Sequence, residues 1–312
     1  MSRNPYSIDP YDERGTSGHR RKRALDSQAP AKARSHEPAE IAEESPRTAG
    51  RSERCQRLPE ELDSPLAHYI GDRAYLVRDS ELRTIAEIGT FRIVAACDLS
   101  RVGYGGDTSR MEREIRRLKQ TGLLSEMQGR GDRNETSRLF ALTKLGARLV
   151  RKAGGVSDEQ AIHHGFAKPR EARHDADLYR LYQAQVEQIE SAGGHPTRVV
   201  LDYELKRNLN RDIEALHGEG RRSPEVLEQI AQRHGLSVVH GKIPVPDLRI
   251  EYHTAEMERK RLDLELATRN YRPRALAEKA RAGFSLHARR EDVSRLRRVL
   301  DEREIKATIL SL

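Results

Sequence analysis

The chain has 312 residues, of which 36% are hydrophobic and 34% charged, and its 57 Lys+Arg against 49 Asp+Glu give a net charge of +8. So little apolar material argues against one large packed globule and for one or two modest cores with unfolded chain attached. No run of about 18 apolar residues exists to span a membrane, the opening MSRNPYSIDPYDERG lacks the apolar stretch of a secretory signal, and Cys55 and Cys97 alone cannot build a disulfide framework or a cysteine zinc cluster.

These exclusions place the protein in the cytoplasm, and the basic balance favours a polyanionic partner. Residues 1–65 hold many Arg, Glu, Ser, Pro and Ala and few branched apolar side chains. Such a segment buries too little surface to offset the entropy of ordering it, so an unfolded tail is expected. Its basic run HRRKR at residues 19–23 reads as solvated chain that could touch phosphates.

Residues 70–153 read as helix, helix, helix, hairpin, helix. Asp79-Ser80 caps a first helix, SELRTIAEIG, in which Leu82, Ile85 and Ile88 recur at helical spacing. Residues 91–99 form a second short helix, and VGYGG is a turn. Asp107 or Thr108 caps a third helix, SRMEREIRRLKQTG, which Gly122 ends. Strands over residues 123–128 and 137–143 follow, joined by the polar tip GRGDRNET, and KLGARLVRKAGG closes as a helix. Three helices and a hairpin is the order of a winged helix-turn-helix, whose third helix enters the major groove. On a wheel of about 100° per residue, Met111, Ile115 and Leu118 face the core. Ser109, Arg113, Arg116, Arg117 and Gln120 gather opposite them, with Glu112 and Glu114 on the flanks. Arg113 or Arg116 suits a bidentate guanine contact and Gln120 an adenine contact. Arg130 and Arg133 at the hairpin tip would meet phosphate or minor groove. The alternatives are an ordinary solvated basic face and a winged helix that pairs with another protein.

Past Ala153-Gly154-Gly155, residues 172–312 alternate helix and strand, giving an α/β second half. HDADLYRLYQAQVEQIESAGG reads as a helix capped by His174-Asp175, TRVVLDYELKR as a strand and PEVLEQIAQRHG as a helix. LSVVHG, IPVPDLRIEYH and RLDLELAT read as strands, PRALAEKARAGFSLHA and EDVSRLRRVLDERE as helices, and IKATILSL as a closing strand. Alternate residues of a strand share a face. Asp202, Glu204 and Lys206 would line up in one strand, Asp247, Arg249 and Glu251 in a second, Asp263 and Glu265 in a third. Solvated carboxylates on an amphipathic sheet are the ordinary reading of any one strand. Three such strands with an inward lysine point instead to a hard divalent ion, Mg²⁺, which takes oxygen ligands and activates water against a phosphodiester. Lys279 shares its helix face with Leu276, Ala280 and Gly283, small enough to let an ammonium reach the strands, and Lys206, in the E-x-K of Glu204-Leu205-Lys206, is the second candidate. Asp247, Asp263 and Glu265 are the expected metal ligands, with Glu204 orienting a ligand water.

Pro246-Asp247 before one strand, acidic residues in the next and a lysine-bearing helix resemble the PD-(D/E)xK nuclease-like fold. The winged helix together with VPDLRIEY and LDLELATRNYRPRALAEKARAGF resembles replication-relaxation proteins of plasmids and integrative elements, and MOBC-type mobilisation relaxases, over residues 75–290. That resemblance implies a winged helix joined to a nuclease-like domain with a mixed sheet. It implies plasmid or mobile-element DNA as partner, alongside other mobilisation or replication proteins, and origin binding with nicking. Glu265 is followed two positions on by Ala267, so the lysine is implied to come from Lys279. A DNA-binding regulator or replication accessory protein with an inactive nuclease-like domain is the alternative.

Overall fold

The computed structural model describes residues 63–130, 136–166, 171–217, 223–268, 271–301 and 309–311. The expected tail, the tip at residues 131–135 with Arg133, and the side chain of Arg130 lie outside the described residues.

A hairpin that the sequence pattern does not announce, β1 (Leu66–Ile70) and β2 (Arg73–Val77), turns at Gly71. Helix α1 (Asp79–Phe91) follows and buries Ile85 and Ile88 as their spacing predicts, while the Glu81 carboxylate accepts the Arg78 backbone N–H at 2.9 Å. The single helix expected over residues 91–99 is instead broken into β3 (Val94–Ala95), α2 (Ala96–Asp98) and one wide turn at Leu99–Gly103. Ile93 and Val94 are stiff, branched side chains that favour extended backbone. Pairing β3 with the later hairpin buries both of them. Helix α3 (Thr108–Gln120) starts where Asp107 accepts the Arg110 N–H at 2.9 Å. Strands β4 (Leu124–Arg130) and β5 (Thr136–Leu142) pair antiparallel, completing a sheet of order β3-β5-β4. Helix α4 (Lys144–Ala153) is capped by Thr143 and ends at Gly154.

The second half runs α5 (Ala172–Ser191), β6 (His195–Leu201), α6 (Asp202–His217), α7 (Pro224–Arg233), β7 (Leu248–His253), β8 (Arg259–Ala267), α8 (Pro273–Arg281), β9 (Ser285–Ala288), α9 (Arg290–Asp301) and β10 (Ile309–Ser311). The five strands form one mixed sheet, β10-β9-β8-β7-β6, antiparallel through β6, β7 and β8 and parallel through β8, β9 and β10. Three expectations are corrected here. The strand read into TRVVLDYELKR stops at Leu201, and DYELKR opens α6. Leu205, Leu209 and Ile213 recur every four residues and are all buried, so the helical period outweighs a short alternation. Asp202 and Glu204 fall in the first turn, where carboxylates suit the positive end of the helix. The strand expected at LSVVHG is reduced to a bridge between Val239 and Lys242, because His240 and Gly241 both turn with positive φ. The helix expected to run through residue 288 ends at Arg281, and Gly283 (φ 86°) releases Ser285–Ala288 to join the sheet. Helix α5 also begins earlier than the expected His174-Asp175 cap.

Strand alternation in β7 and β8 is as expected: Leu248, Ile250, Leu264 and Leu266 are fully buried on one face. Each contributes about 1.5–3 kcal/mol of burial. They join an apolar cluster with Tyr179 and Tyr182 of α5 and Phe91 of α1, whose ring meets Tyr179 edge-on at 5.1 Å. Helix α5 is further tied to the first half by Tyr179 Oη donating to Glu87 at 2.7 Å and by Arg180 donating twice to Asp98 at 3.0 Å. Among the described residues no helix is long and apolar enough to cross a membrane.

Candidate functional site

The polar face of β7 and β8 gathers the site. Pro246 fixes the backbone just before Asp247, so the carboxylate enters the sheet one position ahead of Leu248, whose partner is Leu264. Glu265 therefore lies across from it: the Asp247 N–H donates to Glu265 Oε2 at 3.3 Å, and the Leu266 N–H donates to Asp247 Oδ2 at 2.9 Å. Lys279 reaches in from α8, its Nζ 2.8 and 2.9 Å from the two Glu265 oxygens and 2.6 Å from the Val245 carbonyl. The Tyr271 hydroxyl donates to Glu265 Oε1. From the first turn of α5, His174 Nε2 stands 3.4 Å from Asp247 Oδ2. The Asp202 N–H, at the start of α6, donates to the Asp247 carbonyl at 3.1 Å.

This packing drives the two carboxyls apart in acidity. Burial, reinforced by the nearby Asp247 charge, pushes Glu265 up to about 7 although Lys279 and Tyr271 both favour its anion. Burial works against the Asp247 charge too, but His174, Lys279 and the Leu266 N–H outweigh it and hold Asp247 below the usual carboxylate range. Burial disfavours the imidazolium of His174, yet Asp247, Asp175 and Glu265 raise its pKa to about 9. Lys279 is likewise opposed by burial and held charged by Glu265 and Asp247. One permanently ionised carboxylate beside another that titrates near neutrality is a pairing suited to proton handling.

Of the expected residues, the structure brings Asp247, Glu265 and Lys279 together. It does not bring Asp263, which Arg249 holds by two bonds of 2.6 and 2.9 Å while also donating to the carbonyls of His234 and Gly235. Glu204 is buried against Arg198, on a helix rather than the expected strand. The sequence pattern does not assign His174 or Tyr271 to this site and offers Asp202 only as part of an expected carboxylate-bearing strand. His174 meets its carboxylate only through the fold, and Asp202 sits on a helix where the pattern suggests a strand. Among the described residues no group of three or more His, Cys, Asp or Glu side chains is arranged to hold a metal ion.

The basic helix is a second feature. Ser109, Arg113, Arg116 and Gln120 are exposed on α3, while Met111, Ile115 and Leu118 are buried. Arg117 departs from that face and donates to Glu81 at 2.8 Å. Glu114, expected on a flank, is buried and accepts from Ser80 at 3.0 Å, Tyr104 at 2.7 Å and Arg110 at 2.9 Å, tying α3 to α1. Glu112 meets Arg138 of β5.

Comparisons with protein families, with curated proteins and with solved structures found no match to the chain.

Proposed function

We propose that this is a DNA-binding protein of a plasmid or mobile element whose second half nicks DNA during replication or mobilisation. The observation that carries the reading is the meeting of Asp247, Glu265 and Lys279, contributed by three separate stretches of chain. The order α5-β6-β7-β8-α8-β9, with an antiparallel meander and a parallel crossover, supports a PD-(D/E)xK-like module. The order α1-β3-α2-α3-β4-β5 with a three-stranded sheet supports a winged helix presenting α3 to duplex DNA.

Magnesium is often held by only one or two carboxylates, with water and phosphate completing its shell. Asp247 and Glu265 supply two hard oxygen donors that suit such an ion by chemistry, but Lys279 already engages both Glu265 oxygens, so an ion held there would have to displace its ammonium toward the phosphate. Asp263 does not belong to the set. The metal would supply an activated water and charge neutralisation at the phosphate. Lys279 provides positive charge where the phosphate gains negative charge. Tyr271 orients Glu265, which accepts a proton near neutrality, and His174 keeps Asp247 ionised.

A second reading, a regulator or accessory protein with a silent nuclease-like centre, draws on the saturation of Glu265. Both its oxygens are already engaged by Lys279, and the side chain has no exposed surface. One experiment separates the two. Supercoiled plasmid carrying the element's origin is incubated with Mg²⁺ and either wild type or Asp247→Ala. Nicking that disappears in the variant supports the first reading, whereas tight, salt-sensitive binding without nicking supports the second. Arg113→Ala/Arg116→Ala should lower the slope of log K against log salt by about 1 for each phosphate no longer neutralised.

A further inference from the structure

We propose that Arg92, Arg151, Arg207, His163 and Tyr203 form a binding site for a DNA backbone phosphate, adjacent along α6 to the carboxylate centre. The proposal rests on the reading that the protein handles DNA and adds where the strand is gripped. Arg92 closes α1 with φ 68°, a left-handed conformation unfavourable for a residue with a Cβ. Its guanidinium is only partly used: Nη2 donates to Asp175 at 2.9 Å, whereas Nε is buried without a partner. A buried N–H without an acceptor is unfavourable, so a ligand oxygen that reaches it is favoured. The Arg92 guanidinium carbon lies 5.2 Å from the centroid of the Tyr203 ring.

Tyr203 belongs to the first turn of α6, and its hydroxyl meets the His163 imidazole, nearest at Nδ1. The His163 backbone is pinned by its N–H donating to the Gly89 carbonyl at 2.8 Å. Arg151 arrives from α4 and donates to the carbonyl of the neighbouring Ile162 at 2.6 Å. Arg207 stands one helical turn beyond Tyr203 on the same side of α6. Arg151 and Arg207 are exposed, and neither pairs with a carboxylate among the described residues. Asp175 pairs with Arg92, and Glu204, on the same helix as Arg207, feels the Arg207 charge, while Arg151 pairs with no carboxylate among the described residues. Burial and the charges of Arg92, Arg151 and Arg207 push the His163 imidazole down to about 4, so it stays neutral there. Asp202, immediately before Tyr203, donates its N–H to the Asp247 carbonyl. A polynucleotide can therefore hold one phosphate among the arginines and extend toward Asp247 and Lys279, which free phosphate cannot do.

The test uses the full chain, a fluorescent duplex of arbitrary sequence and inorganic phosphate as separate probes. Arg151→Ala/Arg207→Ala alters exposed side chains and leaves the core intact. It is expected to weaken duplex binding roughly tenfold and to lower the salt slope by about 1, as one fewer neutralised phosphate requires. Asp247→Ala should leave that slope unchanged while removing any nicking, so failure at the centre and failure here are told apart. Duplex binding and slope unchanged in the double variant overturn the proposal. So does arginine-dependent binding of inorganic phosphate with no effect on the duplex, which would assign the site to a free anion. A wild-type chain that binds no duplex at all overturns both this proposal and the function it rests on.

Discussion

Replacing Lys279 with methionine keeps the length of the side chain and removes its charge, leaving Glu265 and Asp247 facing each other across β7 and β8. Lys279 Nζ lies 2.8 Å from a Glu265 oxygen on a side chain with no exposed surface. Breaking one partner out of such a buried pair costs about 3–5 kcal/mol, a large part of the roughly 5–15 kcal/mol that stabilises a domain. The loss should depend on pH in a definite direction. The Glu265 pKa is already raised in the folded chain to about 7 from an ordinary 4.5, and Lys279 restrains it from rising further. A carboxyl with a raised folded pKa is harmless below its unfolded pKa and increasingly unfavourable as pH climbs through its folded value. The difference between wild type and Lys279→Met is therefore small near pH 5, grows only above about pH 7 by at most about 1.4 kcal/mol per pH unit, and is about 2 kcal/mol at pH 8.5 with more to come at higher pH. Urea unfolding of both chains at the two pH values measures it, and adding Glu265→Gln should recover most of the loss at the higher pH. A loss below about 1 kcal/mol at pH 8.5, or an equal loss at both pH values, would mean that Lys279 does not neutralise a buried carboxylate.

His174→Asn should destabilise the chain by at most about 3 kcal/mol, since a pKa raised from 6.5 to about 9 bounds the interaction. That contribution is fully present below pH 6.5 and is lost as pH rises through 9, so urea midpoints of variant and wild type should converge above it. At Gly146 an added Cβ would sit 2.1 Å from the Leu123 carbonyl oxygen, a backbone clash that no side-chain rotation relieves. Gly146→Ala should lower thermal stability by about 1–3 kcal/mol in calorimetry, and an unchanged melting temperature would refute the close approach of α4.

The parts of this centre that are legible from the sequence share one property: each element's own periodicity aims them the same way. In VPDLRIEY and LDLELA, leucines and isoleucine at alternate positions fix which face is apolar, so Asp247 and Glu265 must lie on the polar one. Leu276 and the small residues around Lys279 do the same for α8. LDYELK misleads because six residues satisfy a period of two and a period near four together. Only the continuation through Leu209 and Ile213 decides for a helix. Asp263 passes the facing test and still serves another purpose, because its neighbour Arg249 is set by strand register, which a single strand does not contain. His174 and the arginines around Tyr203 come from distant stretches of chain, and only the packing of α5 and α6 brings them near. On α3, the wheel sorts Arg113 and Arg116 correctly but not Arg117, whose partner Glu81 belongs to another helix.

Helix α5 turns His174 toward the carboxylates, yet its tyrosines and Arg180 close over α1 and α2. Cutting the chain at the glycines after α4 would strip Phe91 of Tyr179 and Tyr182 and take from Asp98 its two bonds from Arg180, leaving it Arg101 alone. The smallest piece of the first half that keeps its packing intact therefore extends through Ser191, the end of α5, so the two halves share one helix rather than meeting at a linker.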